Sequence, residues 1–163
     1  MEQAKILFLD FDGVLVTDKH LEMLAANDIP LRDCYGAKFD PECVELLKRI
    51  IDNTNAGIVV TSTWKMELGL DGIRQMWQER HLPGVIIGVT PDIDLIHRGE
   101  EIAAWLDAYG EVCRYAIIDD APFTDFFRNE QTPHLFQVDE RIGIDEHTAK
   151  AVTLSICQTT LSL

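Results

Sequence analysis

Short, continuously apolar runs recur along this chain: ILFL at 6–9, GIVV at 57–60 and GVIIGV at 84–89 alternate with segments whose apolar residues return at helical spacing. A run of that length without polar alternation suits a strand covered on both faces, and such strands belong to parallel sheets flanked by helices. The pattern is therefore β-α-β-α, an α/β fold with a parallel sheet. Strands are expected near Lys5–Asp10, Gly57–Thr61, Gly84–Val89, Tyr115–Asp119 and His134–Val138. Between them, DPECVELLKRIIDN has Asp40 placed to cap a helix, Pro41 at its first position, and Val44, Leu47, Ile50 and Ile51 on one face. GIRQMWQERH, RGEEIAAWLDAYG with Gly110 as its stop, and the tail Asp145–Cys157 also read as helices. No repeat or low-complexity linker divides the 163 residues, 47% of them hydrophobic, so a single domain spanning 1–163 is expected.

The N-terminal apolar run stops at Asp10, too short for a signal peptide, and no later run approaches bilayer length, which suggests a soluble cytoplasmic protein without a membrane partner. Cys34, Cys43, Cys113 and Cys157 are far apart and form no Cys-x-x-Cys pair, a pattern of buried reduced thiols rather than of a zinc site or disulfide framework. Twenty-eight acidic residues against 14 Lys and Arg leave a net charge of −14 and no dense basic cluster. Such a chain repels polyanions at long range, so strong non-specific nucleic-acid binding is not expected. A phosphorylated substrate would need a locally positive site, which a metal ion can supply.

The first apolar run is interrupted by two carboxylates: FLDFDGVL sets Asp10 at the end of the strand, Asp12 just beyond it and Gly13 next. Unpaired carboxylates are costly to bury, so something must offset them. Thr61, Ser62 and Thr63 follow the second strand, and Asp119 and Asp120 end the fourth. In open parallel sheets these strand ends border the crevice where ligands bind. Converging carboxylates repel one another, and a hard divalent cation such as Mg²⁺ relieves the repulsion while neutralising substrate phosphate. An aspartate can attack phosphorus to give an aspartyl-phosphate, and a neighbour two positions on can protonate the leaving group and later deprotonate water. Gly13 allows the sharp turn this requires, Thr61 offers a hydroxyl to a phosphoryl oxygen, and Arg98 can neutralise developing charge.

At these residues the chain resembles the haloacid dehalogenase (HAD) superfamily in its phosphatase branch. FLDFDGVL, IVVT, Arg98 of HRGEEIAAWL and YAIIDD resemble its four motifs in order, from Lys5 to about Asp139. The resemblance implies a three-layer Rossmann-like sandwich with a five-stranded parallel sheet of order 3-2-1-4-5. It makes Asp10 the nucleophile and a metal ligand. Asp12 becomes the general acid/base, binding metal through its carbonyl. Thr61 would hold the transferring phosphoryl group and Arg98 would take the place of the family's Lys or Arg. Asp120 would be the metal ligand of choice, with Asp119 positioning Arg98 or a metal-bound water and Asp125 further out. TSTWK resembles the Ser-Ser-x-Trp-Arg-like segment of a branch that includes domains associated with RNA repair proteins; Gly13, Ser62 and Lys65 are then substrate-binding positions. Plainer readings have Trp64 in the core, Lys65 solvated and Ser62 capping the following turn.

The segment from Thr17 to Phe39 is too short for an independently folded cap domain, so no sizeable cap is expected; it could form a small flap with Tyr35 and Lys38 near the entrance, or a solvated loop. His20, His81, His97, His134 and His147 show no ligand spacing, and DIDL at 92–95 lacks the glycine of the first motif and reads as a loop. The expected activity is Mg²⁺-dependent hydrolysis of a phosphomonoester, either a nucleotide or other small phosphate ester or a nucleic-acid phosphate end. The alternatives are a dehalogenase and a non-catalytic module that binds a phosphorylated partner.

Overall fold

The computed structural model describes residues 2–93, 97–111, 113–121 and 126–158. Strand β1 (Ala4–Leu9) lies at the centre of one parallel sheet, between β2 (Gly57–Val60) and β4 (Cys113–Asp119), with β3 (Ile86–Val89) and β5 (Leu135–Gln137) outermost. The order is β3-β2-β1-β4-β5, as the resemblance implies. Leu9 stands opposite Val60 on one side and Ile118 on the other, so the three central strands end level with one another. Chain direction across the sheet reverses between β1 and β4, and that is where the crevice opens.

The alternating side chains of β1 explain why its sequence is apolar throughout. Leu7 and Leu9 point into a core built with α2 (Pro41–Thr54), α3 (Trp64–Glu79) and α5 (Glu146–Cys157), whereas Ile6 and Phe8 pack on the other face against Ile102 and Trp105 of α4 (Arg98–Tyr109). Full burial of a Leu, Ile or Phe stabilises by roughly 1.5–3 kcal/mol, so both layers depend on this one strand.

Local signals start and stop the helices as read. The Asp40 carboxylate accepts from the Glu42 N–H with Pro41 in the first turn, Asp145 caps α5 through the Thr148 N–H, and α4 stops at Gly110 in the left-handed region. Three features differ from the sequence reading. Helix α3 begins at Trp64, eight residues ahead of GIRQMWQERH, because Gly69 (φ 63°, ψ 178°) joins a short first segment to the longer one. Within 17–39 a helix forms, α1 (Asp18–Ala26), capped by Thr17, whose Oγ1 accepts from the His20 N–H. A 3₁₀ turn over Asn129–His134 precedes β5, a form that sequence period does not reveal. Of the four cysteines, all free, only Cys43 is buried; Cys34 and Cys157 are exposed. No helix among the described residues is long and apolar enough to cross a membrane.

Candidate active site

Beyond Leu9 the chain leaves the sheet abruptly. The Asp10 N–H makes a last rung to the Ile118 carbonyl (3.2 Å), and the Phe11 carbonyl then accepts from the N–H groups of Val14, Leu15 and Val16 at 3.1, 2.9 and 3.0 Å. This tight turn leaves Asp10 at 4% exposure and sends Asp12 to the surface. Gly13 is required there twice over. Its φ of +75° disfavours any side chain, and a Cβ at that position would lie 2.0 Å from Oδ2 of Asp120. Its structural duty is thus to let a carboxylate from β4 approach the turn.

Four of the expected residues come together in the crevice. Asp10, Asp119 and Asp120 each present a carboxylate oxygen, all within 4.8 Å of one another. Arg98, on the first turn of α4, reaches back with Nη1 to Asp10 Oδ2 at 2.9 Å and to Asp119 Oδ2 at 2.5 Å. The other oxygens of these two residues accept backbone N–H groups, Asp10 Oδ1 from Phe11 and Asp119 Oδ1 from Ala121, both at 2.8 Å. Asp119 is therefore occupied in holding Arg98 and the start of the next loop, leaving Asp120 the freer ligand.

Electrostatics follow from burial and charge count. Desolvation, with Asp119 adding repulsion, pushes the Asp10 carboxyl up to about 8, although Arg98 and the Phe11 N–H pull the other way. Burial and Asp119 likewise raise Asp120. Burial works against the Arg98 charge, but Asp10 and Asp119 outweigh it and the guanidinium is held more firmly protonated than usual. Three carboxylates against one arginine leave negative charge uncompensated. A divalent cation fits that donor set: hard oxygen ligands, converging, and destabilised as anions without it.

Thr61 continues β2 by one residue, its N–H donating to the Leu9 carbonyl at 3.0 Å, which puts it beside Asp10. Its hydroxyl is buried and has no hydrogen-bond partner among the described residues. A buried hydroxyl left unpaired costs free energy, so the position suits a group that accepts from it when bound. Ser62 is buried as well, and its Oγ accepts from the Trp64 N–H at 3.3 Å, the capping role of the plainer reading.

Two neighbours behave differently from expectation. Trp64 is half-buried against Phe11 and Phe39, and its indole N–H also donates to Oδ2 of Asp12 at 3.1 Å, fixing the carboxylate that projects from the turn. A tryptophan just past a strand end carries an N–H that needs a partner, and that need was the signal for this contact. Lys65, expected either among the substrate contacts or in solvent, is not in solvent but buried and paired within the fold. Its side chain is 6% exposed, and its ammonium pairs with Glu101 Oε2 at 2.5 Å and donates to Thr90 Oγ1 at 2.9 Å. The break at Gly69 confines Lys65 to a short helical segment facing α4, so its charge is satisfied internally. Asp125 lies outside the described residues, as do two positions of DIDL; the other two, Asp92 and Ile93, are exposed.

The 17–39 segment folds as α1 followed by a narrow hairpin in which Arg32 bridges Ala37. Arg80, at the end of α3, anchors this hairpin through two bonds to Asp33 (2.9 and 2.7 Å) and one to the Gly36 carbonyl (3.2 Å). The Tyr35 hydroxyl donates to Glu79 at 2.5 Å, and the Arg80 guanidinium lies 4.7 Å from the Phe39 ring centroid. Tyr35 and Lys38 thus belong to a braced wall rather than to a free loop.

Residues 6–149 match the family model of the HAD domain in Swiss Army Knife RNA repair proteins. Among solved structures, the chain resembles a haloacid dehalogenase-like family hydrolase from Streptococcus pneumoniae, with a TM-score of 0.53 and 14% identity over 92% of this chain and 90% of that one, a likeness of fold. Among curated proteins no sequence matches. The family match runs from the first strand into the last helix and takes in Asp10, Thr61, Arg98 and Asp120, so this chain belongs to the HAD domains of the kind found in Swiss Army Knife RNA repair proteins.

Proposed function

We propose that the protein is a Mg²⁺-dependent phosphomonoesterase that works through an aspartyl-phosphate on Asp10. The observation that carries this reading is the pairing of an overcharged carboxylate cluster with an unpartnered buried hydroxyl: Asp10, Asp119 and Asp120 need a cation, and Thr61 Oγ1, beside them, needs an acceptor. A metal-bound phosphoryl group meets both needs. Asp10, Asp120 and the Asp12 carbonyl would hold Mg²⁺, which would supply charge neutralisation at the phosphoryl oxygens.

An Asp10 carboxylate oxygen attacks phosphorus and the bond from phosphorus to the ester oxygen breaks. Asp12, held by the Trp64 N–H, gives its proton to the departing oxygen. Asp12 then takes a proton from water, whose oxygen attacks the same phosphorus; the Asp10–phosphorus bond breaks and inorganic phosphate leaves. Thr61 and Arg98 hold the phosphoryl oxygens throughout, and Asp119 keeps Arg98 aimed at Asp10. The family association with RNA repair supports a nucleic-acid phosphate end as substrate, while the net charge of −14 suits a nucleotide or other small phosphate ester.

Phosphate release from an aryl phosphate, nucleoside monophosphates and end-phosphorylated oligonucleotides is the test. Release should require Mg²⁺ and fall by at least about a thousandfold in Asp10→Asn. Undiminished release by that variant would refute a covalent role for Asp10.

A further inference from the structure

Asp12 also lines a half-open cavity of about 280 Å³ between the hairpin and the first segment of α3, with Arg32, Tyr35, Thr63, Trp64 and Glu67 among its walls. The volume lies just below the range for small-molecule pockets, roughly 300–1,000 Å³, so it holds part of a ligand whose remainder extends toward solvent. Its hairpin wall is braced by Arg80 and Glu79, so the cavity is formed before anything binds. In the proposed reaction Asp12 stands at the departing oxygen, and whatever fills this cavity is therefore the leaving group.

The charges lining it are unusual for this chain. Arg32 makes no ion pair among the described residues, although acidic residues outnumber basic ones two to one. Glu67 faces the same space and pairs neither with Arg32 nor with any other described residue. An arginine left open beside a pocket selects an anion, preferably a phosphate that its planar donors can grip, and an open carboxylate accepts from hydroxyl or amino groups. One ligand chemistry meets both: a sugar or base supplying donors, linked to a phosphate.

Building on the phosphatase reading, we infer that this cavity is a leaving-group subsite for a nucleotide bearing a second phosphate, with Arg32 binding that second phosphate and Glu67 and Thr63 binding sugar hydroxyls or base amino groups. The scissile phosphate sits at Asp10, and the second one stays on the product. Two sources share this chemistry. In a nucleoside bisphosphate the second group is a terminal phosphate, and at a strand end it is the internucleotide phosphodiester.

The test compares kcat/KM of the wild type and Arg32→Gln on a nucleoside monophosphate, the corresponding 3′,5′-bisphosphate, a dinucleotide with one terminal phosphate, and p-nitrophenyl phosphate. The wild type should prefer the bisphosphate or the dinucleotide to the monophosphate by roughly 10- to 100-fold, the value of a hydrogen-bonded charge pair. Arg32→Gln should bring that ratio near one, chiefly through KM, and the substrate losing more identifies the source. Equal preference in the wild type, or one common factor of loss on every substrate including p-nitrophenyl phosphate, overturns the subsite and leaves the phosphatase reading standing. Should the wild type release no phosphate from any of them, the indole ¹H–¹⁵N signal of Trp64 reports binding directly. A bisphosphate that shifts it, at least tenfold more weakly in Arg32→Gln, supports the subsite without the chemistry, and no shift overturns it.

Discussion

Lys65→Met isolates the buried ion pair that ties α3 to α4. The Lys65 and Glu101 side chains are 6% and 4% exposed and meet at 2.5 Å, with Thr90 Oγ1 also bound to the ammonium and the Ile93 N–H donating to Glu101 Oε1 at 3.2 Å. Methionine preserves most of the volume but leaves the Glu101 carboxylate buried with only those weaker partners. Removing one member of a buried pair costs about 3–5 kcal/mol, because the remaining charge is uncompensated. For a domain of this size each kcal/mol shifts the melting temperature by roughly 2–4 °C, so a fall of about 10 °C is expected. The double variant Lys65→Met, Glu101→Leu removes both charges and should recover most of that loss, with a small residue from the unpaired Ile93 N–H and Thr90 hydroxyl. Thermal and urea unfolding of the two single variants and the double variant measures this directly. A Lys65→Met change below about 1 kcal/mol, the range of exposed pairs, would refute the burial argument. The same proteins separate the two roles considered for Lys65: KM of the double variant within about threefold of wild type supports an internal role, whereas a lysine touching the phosphate would lose roughly tenfold or more on removal.

Metal-free protein should become less stable as pH rises. Asp10 is raised to about 8 from its ordinary 3.8, so between those values the folded state holds a proton the unfolded state has lost, and its contribution is full below about 4 and gone above about 8. The melting-temperature gap between Asp10→Asn and wild type should therefore widen from pH 5 to pH 8 in favour of the variant and close with saturating Mg²⁺; a gap independent of pH would contradict it. Gly13→Ala should lower Mg²⁺ affinity and activity by more than tenfold, since its Cβ would displace the Asp120 carboxylate, and should destabilise by about 1–2 kcal/mol from the left-handed backbone. Calorimetric Mg²⁺ titration of that variant with wild-type affinity would show that Asp120 is not a ligand.

The strands were legible because burial on both faces leaves one pattern available to a parallel strand, their order came only from the family resemblance, and the strand ends were legible because charge is excluded from such runs until the sheet stops. Asp10, Asp119 and Asp120 could be found on that ground alone, and helix boundaries at Asp40, Asp145 and Gly110 followed from backbone groups that need a cap. Identity of partners was not legible in the same way. Lys65 has the same composition whether it meets solvent, substrate or Glu101, and what decides is a glycine break four residues on and a helix thirty-odd residues away. Trp64 shows the same limit from the other side. Its ring obeys the core rule and packs on Phe11 and Phe39, while one atom, Nε1, departs from it and reaches Asp12. A periodic pattern assigns whole residues to faces, but the site is assembled from single atoms at the edges of those faces. The hairpin carries this furthest: Arg32 has no counterpart in any motif of the family resemblance, and its bridge to Ala37 together with the bracing of Asp33 and Gly36 by Arg80 places it on the wall next to Asp12. On the proposed reading, the chemistry lies in strand ends that a sequence displays, and the choice of leaving group lies in a loop whose position depends on contacts that it does not.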